Sequence, residues 1–225
     1  MIHSPLVGKK CWVPVEGLLR RGGADARAID YEDLRGPDWY GGAAAAIARR
    51  IEDIEGSWVL VVHSAAGGLA PSILAAAPAS PAAIVFVDSI LPHPGRSWLE
   101  TAPPCLSARV RSLAEDGMLP PWNRWFADDP AANLIQDPET LAEFTADLPR
   151  LPLAFLECAA PLLAAETAIP TGYLQLSASY AGEAREARRR SWRVEEAPAH
   201  HLAMVTHPDK VGPKIVELAA ALLGR

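Results

Sequence analysis

The stretch Trp58-Val59-Leu60-Val61-Val62-His63-Ser64-Ala65-Ala66-Gly67-Gly68 decides how this chain is read. Its first half is apolar and β-branched, as a strand on a buried pleated surface requires. Small residues end the run, and an Ala/Leu-rich segment, residues 69–77, follows. That order predicts a strand, a tight turn and a helix, with the Ser64 hydroxyl at the apex. Such a turn lifts the side chain above the sheet edge and sets it at a helix N-terminus, where free N–H groups and the helix dipole favour negative charge. Ser64 is therefore a candidate nucleophile on a relative of the G-x-S-x-G turn. Val62 stands where the first Gly is usual, Ala66 is small enough for the second, and Gly67 and Gly68 allow helix and sheet to approach closely. The competing reading is a buried strand-to-helix turn that happens to carry a serine.

Outward from that stretch, apolar runs alternate with helical spacing. Strands are expected at residues 1–3, 26–31, 57–62, 82–87, 172–177 and 192–197, and helices at 11–21, 40–54, 69–77 and 208–223. Continuously apolar core strands alternating with helices indicate an α/β fold: a six-stranded parallel sheet with helices on both faces. Ligands of such sheets bind beyond the carboxyl ends of the strands. Ser4, Ser64, Asp88, Ser179 and His201 all fall just after expected strand ends, so five polar residues converge on one rim.

Residues 91–169 break the alternation. They are rich in Pro and aromatics, with short helical pieces near 105–115, 139–148 and 151–158. This segment reads as a helical lid inserted after the fourth strand, residues 1–90 and 170–225 forming the core. Trp122, Trp125 and Phe126 lie in its middle. They are expected to be divided between the lid's own core and the wall of an apolar substrate pocket.

A chain of 225 residues suffices for one well-buried domain. Its net charge is −6 and it shows no basic stripe, which argues against a nucleic-acid partner. Arg185, Arg188, Arg189 and Arg190 alternate with Glu183 and Glu186, the pattern of a solvated helix face. Cys11, Cys105 and Cys158 have neither metal-ligand spacing nor the even count of a disulfide framework. The N-terminal residues lack the signature of a secretory signal, and no apolar run reaches membrane-spanning length. The expectation is a cytoplasmic monomer or homodimer acting on a small apolar molecule. Neither Walker A nor G-x-G-x-x-G spacing occurs, so no metal or cofactor is expected.

Three segments together resemble the α/β-hydrolase superfamily, in particular its compact six-strand members, which include plant methylesterases, hydroxynitrile lyases and bacterial hydrolases. His3-Ser4-Pro5-Leu6-Val7-Gly8 with Trp12 resembles the oxyanion loop, Val62 to Gly67 the nucleophile turn, and Ala199-His200-His201-Leu202-Ala203-Met204 with Pro208 the catalytic-histidine loop. The order serine, acid, histidine also agrees. The resemblance implies Ser64 as nucleophile and His201 as general base, because a serine hydroxyl needs an imidazole to take its proton and later return it to the leaving group. It implies the Ala65 N–H as one oxyanion donor and Ser4 and Pro5 as substrate contacts.

Two departures bear on function. After the fifth expected strand, where most of the superfamily carries its acid, stands Ser179. Three readings stay open: Asp88 at the end of the fourth strand, Glu183 one helical turn beyond Ser179, or no acid. In the oxyanion loop, the residue that would supply the second N–H is Pro5, which has none; Leu6 is the candidate substitute. The resemblance then implies a serine hydrolase of an ester, thioester or lactone of an apolar small molecule, with a place in specialised metabolism. The alternatives are a non-hydrolytic cyclase, lyase or dehydratase using His201 as acid and base, or a small-molecule-binding pseudoenzyme.

Overall fold

Along β1 (Val59–His63) alternate side chains enter two different cores: Leu60 and Val62 join Ile84, Phe86 and Tyr173, whereas Val61 joins Val85, Val87 and Leu174. This is the period-2 burial of a sheet covered on both faces. The computed structural model describes residues 1–31, 36–162 and 169–225. In chain order its strands are β1, β2 (Ala83–Val87), β3 (Met118–Leu119), β4 (Leu151–Pro152), β5 (Thr171–Gln175) and β6 (Arg193–Glu196). The main sheet is parallel, four-stranded and ordered β1-β2-β5-β6; β3 and β4 form a small antiparallel pair of their own.

The expectation of six strands in the main sheet is corrected to four. The first two expected strands survive as single bridges, Ile2 pairing in parallel with both Val62 and Ile29. Only Ile2 engages both neighbours before the chain turns at Ser4-Pro5, so no ladder grows.

One face of the sheet is covered by helices Trp39–Ile51, Ala70–Ala76 and Ala181–Arg189, through Tyr40, Ala43, Ile47, Ile73, Ala184 and Ala187. The other is covered by Val13–Arg21 and Pro208–Leu222, through Val15, Val211, Ile215 and Leu218. Each fully buried Val, Leu, Ile or Phe contributes about 1.5–3 kcal/mol, so the ring of helices is held chiefly by its apolar faces.

Between β2 and β5 the described chain forms short helices, including Trp98–Thr101, Pro104–Ser112, Pro130–Leu134, Pro138–Ala146 and Leu153–Glu157. Asp129 and Asp137 cap two of them through their carboxylates, and Ser97 with Glu100 forms a capping box on the first. Residues 163–168 of the expected insertion lie outside the described residues. Among the described residues, no helix is long and apolar enough to cross a membrane, and no group of three His, Cys, Asp or Glu is placed to hold a metal ion.

Candidate active site

Ser64 follows β1 directly and opens the 3-10 turn Ser64–Leu69, with φ +56°. This left-handed conformation is uncommon for a residue bearing a Cβ and requires support from its surroundings. The loop after β2 provides it: Ser89 Oγ and Ile90 N–H donate to the Ser64 carbonyl at 2.7 and 3.1 Å. Close approach of that loop explains Gly67, where a Cβ would lie 2.0 Å from the Ile90 carbonyl oxygen and 2.3 Å from Ser89 Oγ.

The same loop carries Asp88, also left-handed at φ +41° and fully buried. Its Oδ1 accepts from the Leu176 and Ser177 N–H groups at 2.9 and 3.0 Å. Its Oδ2 accepts from the Ser177 hydroxyl at 2.6 Å and faces His201 Nδ1 at 2.9 Å. Burial raises the Asp88 carboxyl, but the hydrogen bonds and charge of His201 and Ser177 outweigh it and hold the group below the usual carboxylate range. An ionised, fully satisfied carboxylate there keeps the Nδ1 proton on His201 and leaves Nε2 as the acceptor.

His201 lies in the loop between β6 and helix Ala203–Thr206, its Nε2 3.1 Å from Ser64 Oγ. Its carbonyl oxygen accepts from His63 Nε2 at 3.1 Å, so the residue before the serine fixes the loop bearing the histidine. Burial first, then the neighbouring His201 charge, push His63 well below its ordinary value, and it is neutral at pH 7. His200 points elsewhere, toward the Thr206 hydroxyl at 2.9 Å. The structure thus joins Ser64, His201 and Asp88 in one hydrogen-bonded relay. Glu183 is not among the hydrogen-bond partners of His201; it lies on helix Ala181–Arg189 at the wall of a cavity.

The expected oxyanion loop is buried through Ser4, Pro5, Leu6 and Val7. Its amides are turned inward: Leu6 N–H donates to Ser4 Oγ at 3.2 Å and Val7 N–H to the Ser4 carbonyl at 3.1 Å. The N–H of Leu6, the expected substitute donor, is therefore bonded within the loop, since a serine before a proline favours a local turn that uses nearby N–H groups. Ala65 N–H lies in the first turn after Ser64, where a helix leaves its donors without intrahelical acceptors.

Beside the relay lies a cavity of about 570 Å³, lined by Ile90, Leu91, Trp98, Leu106, Tyr180 and Glu183 among others. Its size and largely apolar wall suit a small ligand. The aromatics expected at such a wall are elsewhere. Trp125 is buried in the insertion's own core, edge-on to Trp98, with its indole N–H donating to the Pro120 carbonyl at 2.8 Å. Trp122 is half-buried between the two cores, and Phe126 is exposed. A short insertion needs a large ring to close its own interior, and an indole N–H needs an acceptor there. Trp98 and Tyr180 are the aromatics that line the cavity.

Tyr180 is the residue that sequence reasoning missed. Its hydroxyl is 3.3 Å from Ser64 Oγ, and its ring stacks on the His201 imidazole. Its place immediately after Ser179, where an acid was sought, is the only signal that pointed there.

No protein-family model and no curated protein matches this chain. Solved structures do match it over nearly their whole length. An extracellular α/β-hydrolase from a Paenibacillus species superimposes with a TM-score of 0.78 at 16% identity, covering 98% of this chain and 96% of the other; it is described as sharing structural and functional homology with tobacco salicylic acid binding protein 2. Tomato methylketone synthase I, complexed with 2-tridecanone, matches with a TM-score of 0.74 at 16% identity over 98% and 96%. A pyrethroid hydrolase from Sphingobium faniae JZ-2 matches with a TM-score of 0.62 at 18% identity over 98% and 96%. The chain has the α/β-hydrolase fold.

Proposed function

We propose that this α/β-hydrolase-fold chain is a serine hydrolase of an ester, thioester or lactone whose acyl or alcohol portion is apolar. The observation that carries the reading is the relay itself: 3.1 Å from Ser64 Oγ to His201 Nε2 and 2.9 Å from His201 Nδ1 to Asp88 Oδ2. These are proton-transfer distances, in the order that activates a hydroxyl. Ser64 Oγ attacks the acyl carbon as its proton passes to His201, Asp88 holds the imidazole in its tautomer, and the Ala65 N–H meets the developing oxyanion. His201 then protonates the leaving group, and water repeats the sequence to release the acid.

The apolar cavity supports an apolar substrate, and the insertion serves as its lid through Leu91, Trp98 and Leu106. The pyrethroid hydrolase, one of the structural neighbours, agrees in reaction class. The reading is tested with a fluorophosphonate probe and a short-chain aryl ester. Labelling confined to Ser64, with turnover lost in Ser64→Ala, is the expected result; a folded protein that neither labels nor turns over the ester contradicts it.

A second reading has one observation in its favour: residues 5–7 of the Ser4–Val7 loop offer no free amide, Pro5 having no N–H and those of Leu6 and Val7 being bonded to Ser4. Lyase, cyclase or dehydratase chemistry with His201 as acid and base needs no two-donor hole. Turnover of the natural substrate that survives Ser64→Ala and is abolished by His201→Ala marks that case.

A further inference from the structure

Tyr180 holds a place that the Ser64–His201–Asp88 relay does not account for. It ends the 3-10 turn Ala178–Tyr180 after β5, and its ring lies over the His201 imidazole with centroids 4.8 Å apart and planes 9° apart. Its phenol oxygen stands 3.3 Å from Ser64 Oγ. The Ser64 proton is directed to His201 Nε2, so in this pair the Tyr180 O–H donates to a lone pair of Ser64 Oγ.

Residues 5–7 of the expected oxyanion loop hold no free N–H. Pro5 has no N–H, and the amides of Leu6 and Val7 are both spent on Ser4. Tyr180 also belongs to the cavity wall, whereas Ser64 and His201 do not.

Resting on the acyl-transfer reading above, we infer that the Tyr180 hydroxyl is a catalytic donor, the partner of the Ala65 N–H in stabilising the oxyanion formed on Ser64. As Oγ bonds to the acyl carbon, the carbonyl π pair moves onto the carbonyl oxygen and the Ser64 proton moves to His201. The Oγ lone pair that accepted from Tyr180 becomes the new C–O bond, and the phenol O–H turns to the oxyanion on the adjoining carbon. On collapse the pair returns to re-form C=O, the alcohol oxygen leaves with its bonding pair, and His201 protonates it. Tyr180 keeps its own proton throughout. Burial pushes this phenol above its ordinary value against the opposing effect of the Ser64 hydrogen bond, so it is a neutral donor at every working pH.

Tyr180→Phe keeps the stacked ring and removes only the hydroxyl. The probes are diethyl p-nitrophenyl phosphate, which phosphorylates the serine and releases p-nitrophenol, and a short-chain p-nitrophenyl ester. The expected result is that both the labelling rate and kcat fall about 100-fold, the usual scale for one lost oxyanion donor, with KM within about twofold. The acidic limb of the pH–rate profile stays in place, which a disturbed ring stack alone would move. Wild-type rates in Tyr180→Phe, or a rise in KM alone, overturn the role of Tyr180 while serine labelling leaves the hydrolase reading standing. A wild-type protein in which Ser64 is not labelled overturns both. Site-specific 3-fluorotyrosine at position 180 is the second arm, independent of how Tyr180→Phe folds: its more acidic phenol raises the labelling rate, and an unchanged rate contradicts the proposal.

Discussion

On one side of the Ser64 hydroxyl, His201 and Asp88 form a relay in which the carboxylate accepts four hydrogen bonds, from Leu176, Ser177 (twice) and His201. The second side is the Ser4–Val7 loop, which bonds its Leu6 and Val7 amides to Ser4 and carries a proline at position 5. The first side is built to move a proton; the second offers little to a developing negative charge. The contrast teaches that the two functions of such a site are separable. The Ser64–His201–Asp88 relay is anchored by loops at buried strand ends, whereas one proline in the Ser4–Val7 loop is enough to remove an N–H there.

The relay side is tested most severely by Asp88→Asn. With the geometry retained but the tautomer reversed, kcat on an aryl ester falls by about 10³–10⁴-fold, measured by steady-state kinetics at saturating substrate. A loss under about tenfold would mean that Asp88 is a structural anchor and not an orienting acid. The donor-poor side is sharpened by Pro5→Ala in the Tyr180→Phe background. Restoring an N–H at position 5 recovers about tenfold of the lost rate, a fraction of a full donor, because the loop is still held by Ser4. Additive, non-rescuing behaviour separates the two positions.

The smallest effect is on stability. His63 has an ordinary value of 6.5 and is held well below it in the folded protein, first by burial and then by His201. Below pH 6.5 the unfolded chain therefore binds a proton that the folded chain refuses, so stability is present above that pH and is lost as pH falls. Between pH 6.5 and 5.5 the loss is at most about 1 kcal/mol for this one group. Urea unfolding at the two pH values measures it, and His63→Gln flattens the difference by that amount.

The α/β-hydrolase fold and the four central strands were legible because they depend on signals local to the chain. A continuous apolar run and a small-residue turn each lie within a single segment, and the order serine, acid, histidine is read along the chain without any contact being known. Asp88 was among three open readings, and the sequence could not rank it by contact, because its partners Leu176 and Ser177 come from the neighbouring strand end. Residues 1–3 and 26–31 have strand-like composition, but ladder length is set by pairing geometry, and only Ile2 engages both neighbours. Trp125 and Trp98 are equally aromatic; which one faces the cavity follows from how the insertion closes its core. Tyr180 was invisible for the same reason, since a ring stacked across two loops leaves no periodicity in either.

The central claim is that Ser64 forms a covalent acyl intermediate. Rapid mixing with a p-nitrophenyl ester, followed by quench and peptide mass spectrometry, tests it directly. The account predicts a burst of p-nitrophenol approaching one equivalent per chain and a mass increase equal to the acyl group on the peptide bearing Ser64. Steady release of p-nitrophenol with no burst, no adduct and full retention of the rate in Ser64→Ala would contradict it.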